Sequence, residues 1–282
     1  MRGRTNTTGD GRAGPVHPPS VDGMTTTIGE STIDNRPPVL SFRHVDRTYG
    51  DGTGAVHALR DVSVDIEAGR FTAVMGPSGS GKSTFMNLAA GLDDPTRGEI
   101  WLAGQPLHAL DEDRRTVLRR DHVGFVFQAF NLVPTLTARE NVLLPFDLAG
   151  RRLTADDHAR VDGLLTSLGL LDRAGHHPSA LSGGQQQRVA IARALAVGPH
   201  IVIADEPTGN LDTRSSREVL ALLRTAADEF DQTILMVTHD PVAAAAADRI
   251  LVIADGQLVG DHDPMSPTRI SELVVSLEVG AA

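Results

Sequence analysis

Nine consecutive residues, Gly76-Pro77-Ser78-Gly79-Ser80-Gly81-Lys82-Ser83-Thr84, contain the pattern G-x-x-x-x-G-K-[ST]. Glycines at 76, 79 and 81 let successive backbone N–H groups turn toward one point. A helix starting after them adds partial positive charge, so a phosphate chain can be wrapped largely by main chain. Lys82 then supplies a mobile charge for the β- and γ-phosphates, Ser83 a hydroxyl ligand for Mg²⁺, and Thr84 a further phosphate hydrogen bond. Far downstream, the apolar run Ile201-Val202-Ile203-Ala204 delivers two carboxylates, Asp205 and Glu206. Asp205 is expected to sit near the metal through a bound water, on a strand beside the phosphate-loop strand. Glu206 can orient a water aimed at the γ-phosphorus or take its proton. Between these two groups lies Leu181-Ser182-Gly183-Gly184-Gln185, where a hydroxyl and glycine N–H groups at the head of a helix form a second place for a phosphate.

These residues need a strand, loop and helix order to act together. Residues 71–75 read as a buried strand running into the glycine loop, and residues 82–90 as a helix ending at Gly91. Before them, residues 39–42 and the alternation Val62-Ser63-Val64-Asp65-Ile66 predict half-buried antiparallel strands. Residues 99–102 and 123–127 predict strands, and residues 138–148 and 155–168 predict helices. The last third alternates: helix 184–197, strand 201–204, helix 213–230, strand 233–237, helix 241–247, strand 250–253. Such alternation predicts a parallel sheet covered by helices. After Ser266-Pro267, the spacing of Ile270, Leu273, Val274 and Leu277 predicts a short helix docked by an apolar stripe.

Composition narrows the functions available. The formal net charge of −10 argues against a large nucleic-acid footprint, which needs a basic face to release counterions. The absence of cysteine removes disulfides and thiolate metal sites. No apolar run approaches the roughly 18 to 20 residues that cross a bilayer, and Arg2 and Arg4 precede no apolar signal segment, so a cytoplasmic location is expected. Residues 1–38 mix Gly, Pro, Ser and Thr without periodicity and are expected to be a disordered tail, with Met24 as an alternative start.

In identity, order and spacing, the motifs from Tyr49 to His239 resemble those of ABC-type ATPases, over about residues 39–260. The resemblance implies an α/β fold: a P-loop NTPase (RecA-like) core with a mainly parallel sheet, an N-terminal antiparallel β-subdomain, and an α-helical signature subdomain over about residues 129–195. Residues 261–282 would form a C-terminal tail with its short helix. It further implies that Tyr49, which alone reads as a strand-edge residue, stacks on adenine. Gln128 would touch Mg²⁺ and the attacking water, and His239 would contact the γ-phosphate. Asp212, in Asn210-Leu211-Asp212, would lie in a loop crossing a dimer interface. Ser182 would serve ATP held by the opposite subunit of a homodimer, so that a lone monomer is catalytically incomplete. Gln128-Ala129-Phe130-Asn131-Leu132-Val133-Pro134 and Thr137-Ala138-Arg139-Glu140-Asn141-Val142 are similar to the branch that powers lipoprotein release and macrolide export.

The function implied by the resemblance is ATP hydrolysis driving an integral membrane permease, with the chain peripheral on the inner face of the membrane. The alternatives are a non-transporting envelope or cell-division complex and a soluble ABC protein. Three features take plainer readings. Arg114, Arg115, Arg119 and Arg120, interspersed with acids, predict a solvated helix face. His176-His177 and Asp261-His262-Asp263 predict exposed loops, since no further ligands stand at metal-binding spacing.

Overall fold

The computed structural model describes residues 36–280. All but the last three residues of the expected tail, and the alternative start at Met24, lie outside the described residues. The chain runs β1 (Leu40–Tyr49), β2 (Val56–Ile66), β3 (Phe71–Met75), α1 (Lys82–Ala89), β4 (Arg97–Leu102), β5 (Gln105–Pro106), α2 (Glu112–His122) and β6 (Val123–Phe127). Helices α3 (Ala138–Leu148), α4 (Ala155–Ser167) and α5 (Gly183–Ala196) come next, then β7 (Ile201–Asp205), α6 (Thr213–Phe230) and β8 (Thr233–Val237). The chain continues through α7 (Pro241–Ala244), β9 (Arg249–Ala254), β10 (Gln257–His262) and α8 (Pro267–Gly280).

Two sheets form. The first, in order β2-β1-β4-β5, is antiparallel; the second, in order β10-β9-β3-β8-β7-β6, is parallel except for its β10 edge. In the second sheet β3 and β8 are buried along their whole length, which is why they read as unbroken apolar runs. Alternate side chains serve two cores. Ala73, Met75, Ala204, Met236 and Val252 face the core shared with α3, α4, α5 and α6, while Val74, Ile203, Val237 and Ile253 face the core shared with α1 and the first sheet.

The strand order corrects one expectation. Asp205 does not lie on a strand beside β3, because β8 stands between β3 and β7. Reach is preserved by register instead: Phe127 pairs with Asp205, Asp205 with Val237, and Val237 with Val74. The four strands therefore end level, and the residues after each of them emerge along one edge.

Side-chain caps set the helices between β6 and β7. Thr137 and Glu140, Thr154 and Asp157, and Ser182 and Gln185 each form a reciprocal capping box. Backbone and hydroxyl bonds from Thr137 and Thr154 hold the Glu140 and Asp157 carboxyls below the usual range.

The arginine cluster on α2 is not a uniformly solvated face. The Arg115 side chain is only 8% exposed and pairs with Asp94 at 2.7 Å, and Arg119 donates to the Gly91 carbonyl. The two arginines tie α2 to the turn after α1, while Arg114 faces solvent. Asp261 and His262 likewise belong to β10, where Asp261 pairs with Arg249 at 2.7 Å, rather than to a loop.

Helix α8 packs on α7, with Ile270 fully buried and Leu273, Val274 and Leu277 partly buried behind it. Ile270→Ala is expected to cost about 2–3 kcal/mol through lost burial and a residual cavity. A lowered urea midpoint at unchanged slope would show this; an unchanged midpoint would mean that α8 adds nothing to the body.

Candidate active site

The loop after β3 is shaped by close approach. Gly76 has φ 150°, and a Cβ there would lie 1.9 Å from the Ile253 carbonyl oxygen, so only glycine fits. The loop leads into α1, whose first turn has no side-chain cap. Its leading N–H groups therefore remain available to an anion. Residues 79–84 line a cleft of about 470 Å³ together with Val56, His57, Ala58, Arg60, Asp255 and Gly256. The turn at Asp255-Gly256 is bonded to the loop, Gly256 N–H donating to the Ser80 carbonyl at 3.0 Å. The buried Ser80 hydroxyl has no partner in the protein, and a Cβ on Gly79 would meet open space. Main-chain donors, an unpartnered hydroxyl and an uncapped helix fit a polyphosphate.

Lys82 folds back onto its own loop, its Nζ donating to the Gly76 and Pro77 carbonyls at 2.9 and 2.7 Å. Burial lowers its pKa, and the nearby Glu206 charge opposes that shift. Ser83 and Ser78 are exposed, Pro77 and Thr84 half-buried. Tyr49 does not line the cleft, although its cross-strand neighbour Val56 does. Its hydroxyl donates to Asp93 at 2.6 Å and the Arg47 guanidinium lies 4.4 Å from the ring centroid, covering one face.

Beyond β7, Glu206 adopts φ 44°. That region costs a non-glycine residue about 1–3 kcal/mol and persists only where surroundings impose it. Here Glu206 N–H donates to the Val237 carbonyl at 2.9 Å, and Gly209 N–H donates to the Glu206 carbonyl at 3.0 Å. The Glu206 Oε1 lies 2.7 Å from His239 Nδ1, and both residues line a second cleft of about 420 Å³. Burial, reinforced by the Glu206 charge, raises the Asp205 carboxyl above its usual range. Asp205, Ser83 and Gln128 offer carboxylate, hydroxyl and amide oxygens, a hard donor set suited to Mg²⁺.

Gln128 and Asn210 grip each other: Gln128 Nε2 donates to Asn210 Oδ1 at 3.2 Å, and Asn210 Nδ2 donates to the Gln128 carbonyl at 3.0 Å. A Cβ on Gly209 would fall 2.7 Å from Gln128 Nε2, so the glycine makes room for this contact. After Gln128, Phe130 and Asn131 both have positive φ. Arg193 holds them, donating to their carbonyls at 3.0 and 2.6 Å. Asn210 entered the sequence reading only as part of the interface loop, without this contact to Gln128, and Arg193 was not singled out. An arginine inside the otherwise apolar run 189–197 was the available signal for Arg193.

Ser182, Gly183, Gly184 and Gln185 are not brought to this cleft. Ser182 is exposed at the head of α5, where its Oγ accepts from Gln185 N–H at 3.3 Å, and Gly184 is buried. Asp212 caps α6, accepting from Ser215 and Arg214 backbone N–H groups and the Ser215 hydroxyl, which holds its carboxyl below the usual range. One copy of the chain thus places Asp205, Glu206 and His239 together, with the Glu206 charge felt at Lys82, sets Gln128 against Asn210, and presents Ser182 outside the loop cleft.

Known proteins resemble this chain in sequence and fold. A family model described as ABC transporter matches residues 59–209. The macrolide export ATP-binding/permease protein MacB of Marinobacter nauticus is 49% identical over 82% of this chain and 36% of its own length. The pyoverdine export ATP-binding/permease protein PvdT of Pseudomonas fluorescens is 47% identical over 82% of this chain and 35% of its own length. The chain therefore spans about a third of the length of these curated relatives. The ATP-binding cassette MJ0796, solved as a dimer in a post-hydrolysis state bound to ADP and Pi, is 41% identical with a TM-score of 0.72, over 80% of this chain and 99% of that one. Since the family model covers more than half of the chain and a solved cassette is matched over nearly its whole length, the chain belongs to the ABC transporter family.

Proposed function

We propose that the chain is the ATP-hydrolysing motor subunit of an export-type transporter, acting as a head-to-tail homodimer on integral membrane permease subunits. The observation that carries this reading is the separation of two phosphate-binding elements within one copy. The phosphate loop and candidate base share one sheet edge, whereas Ser182 is displayed away from its own cleft, as a residue serving a second copy's nucleotide should be. The ATPase module is assigned to residues 39–260, with the signature subdomain over about 129–195, residues 261–282 as a tail, and no nucleic acid as partner.

In this reading Lys82 exchanges the Gly76 and Pro77 carbonyls for the β- and γ-phosphates of ATP, joined by residues 76–84, and Tyr49 offers its uncovered face to adenine. Ser83, Gln128 and Asp205 would hold Mg²⁺, which would neutralise phosphate charge. Glu206, steadied by His239, takes a proton from water as the water oxygen bonds to the γ-phosphorus. The bond from that phosphorus to the β–γ bridging oxygen breaks, leaving ADP and phosphate. The Ser182 hydroxyl and the Gly183 and Gly184 N–H groups, with Gln185 bracing Ser182, close on the γ-phosphate from the opposite copy, with Asp212 in the crossing loop.

A mainly apolar groove of about 400 Å³, lined by Phe125, Phe127, Leu144 and Leu148 beside Asn131, offers the permease a helix-sized seat. No helix among the described residues is long and apolar enough to cross a membrane. A peripheral place on the cytoplasmic face, through the permease, belongs to the same proposal. The test is phosphate release by the purified chain with Mg-ATP. Activity per molecule is expected to rise with protein concentration and to vanish with a chelator; activity independent of concentration down to dilute monomer would contradict the paired site.

A further inference from the structure

Gln187 lies on α5, one turn and a half beyond Ser182, and is fully buried. Its Nε2 donates to the Pro207 carbonyl at 2.6 Å and, more weakly, to the Phe127 carbonyl at 3.4 Å. Pro207 directly follows Glu206, and Phe127 directly precedes Gln128. One amide thus joins the helix headed by Ser182 to the two backbone segments that carry the candidate base and the candidate metal-contacting glutamine. Its Oε1 is buried with no hydrogen-bond partner. A buried amide oxygen left unpaired is unfavourable, so packing alone would favour an apolar side chain of this size.

The surroundings make the link a directed one. Glu206 is in a left-handed conformation. The Pro207 carbonyl that Gln187 holds is one residue from Glu206, whose own carbonyl accepts from Gly209 N–H. Gln128 is held by Asn210 on one side and follows the β6 segment that Gln187 touches on the other. The Gln187 amide is thus a direct link from α5 to both segments.

We propose that Gln187 is a positioning residue, coupling the placement of the Ser182 helix to the alignment of Glu206 and Gln128 in the same copy. The role rests on the proposed function of Glu206 as the base. Through it, the copy whose Ser182 has engaged its neighbour's ATP would align its own Glu206, linking the two sites of the pair.

The test uses the full chain with Gln187→Met, which keeps volume and loses the donor, and Gln187→Asn, which keeps the amide and withdraws it by one methylene. Both are expected to lower kcat by roughly 10- to 100-fold, the scale of a small misplacement of reacting groups, with ATP affinity unchanged. The loss should not compound: in single-turnover measurements, Gln187→Met added to Glu206→Gln should lower the residual rate less than about twofold, because both act on one step. Turnover near the parental level in both variants, an equal fall in nucleotide affinity, or a loss that multiplies with Glu206→Gln would overturn the proposal. Failure of the underlying reading is separately visible, since Glu206→Gln alone would then turn over normally.

Discussion

Glu206→Gln is expected to lower ATP turnover by roughly 10²- to 10⁴-fold, the range of a lost general base, while ATP affinity stays intact. The substitution is close to isosteric and removes only the ability to accept a proton. The amide can still bond to His239, which now lies 2.7 Å from the carboxylate. The left-handed backbone at position 206 is equally available to glutamine, since the Val237 and Gly209 bonds that impose it are main-chain bonds. Geometry is therefore preserved and the chemical step is not. Rapid-quench measurement of product at saturating ATP checks this, and a rate within a few-fold of the parent would remove Glu206 from the chemistry.

Lys82→Ala is expected to act earlier, on binding. A hydrogen bond to a charged group contributes about 1.5–3 kcal/mol, which corresponds to roughly 10- to 100-fold in Kd. The Gly76 and Pro77 carbonyls would lose their bonds from the Lys82 ammonium as well. Titration with a fluorescent ATP analogue distinguishes the outcomes. A Kd unchanged by the substitution would contradict the placement of the phosphates on this loop.

Local features were the most legible in the sequence. The helix α3 starts where Thr137 and Glu140 form a capping box, and β3 is an apolar run because both of its faces are covered. The level strand ends that assemble Gln128, Glu206 and His239 were hidden, because the insertion of β8 between β3 and β7 is a tertiary choice. Burial of Arg115 and the anchoring of Arg119 were hidden for a related reason. Neighbouring acids look alike in sequence whether they border a solvated face or accompany arginines bonded to the turn after α1. Strand β10 exposes alternate residues at a sheet edge, and its Asp261 and His262 read as loop until Arg249 is seen opposite. Gln187 sits in a run of three glutamines that composition cannot tell apart; only the phase of α5 turns the third toward Pro207.

In the proposed function, catalysis needs two copies of the chain around each ATP. Sedimentation velocity of the Glu206→Gln variant, with and without Mg-ATP, tests it most directly, because the variant should bind nucleotide and hold the closed pair. A monomer is expected without nucleotide and a species of twice its mass with Mg-ATP, abolished by adding Lys82→Ala. A variant that stays monomeric at saturating Mg-ATP, beside a parent that hydrolyses rapidly as a monomer, would contradict it.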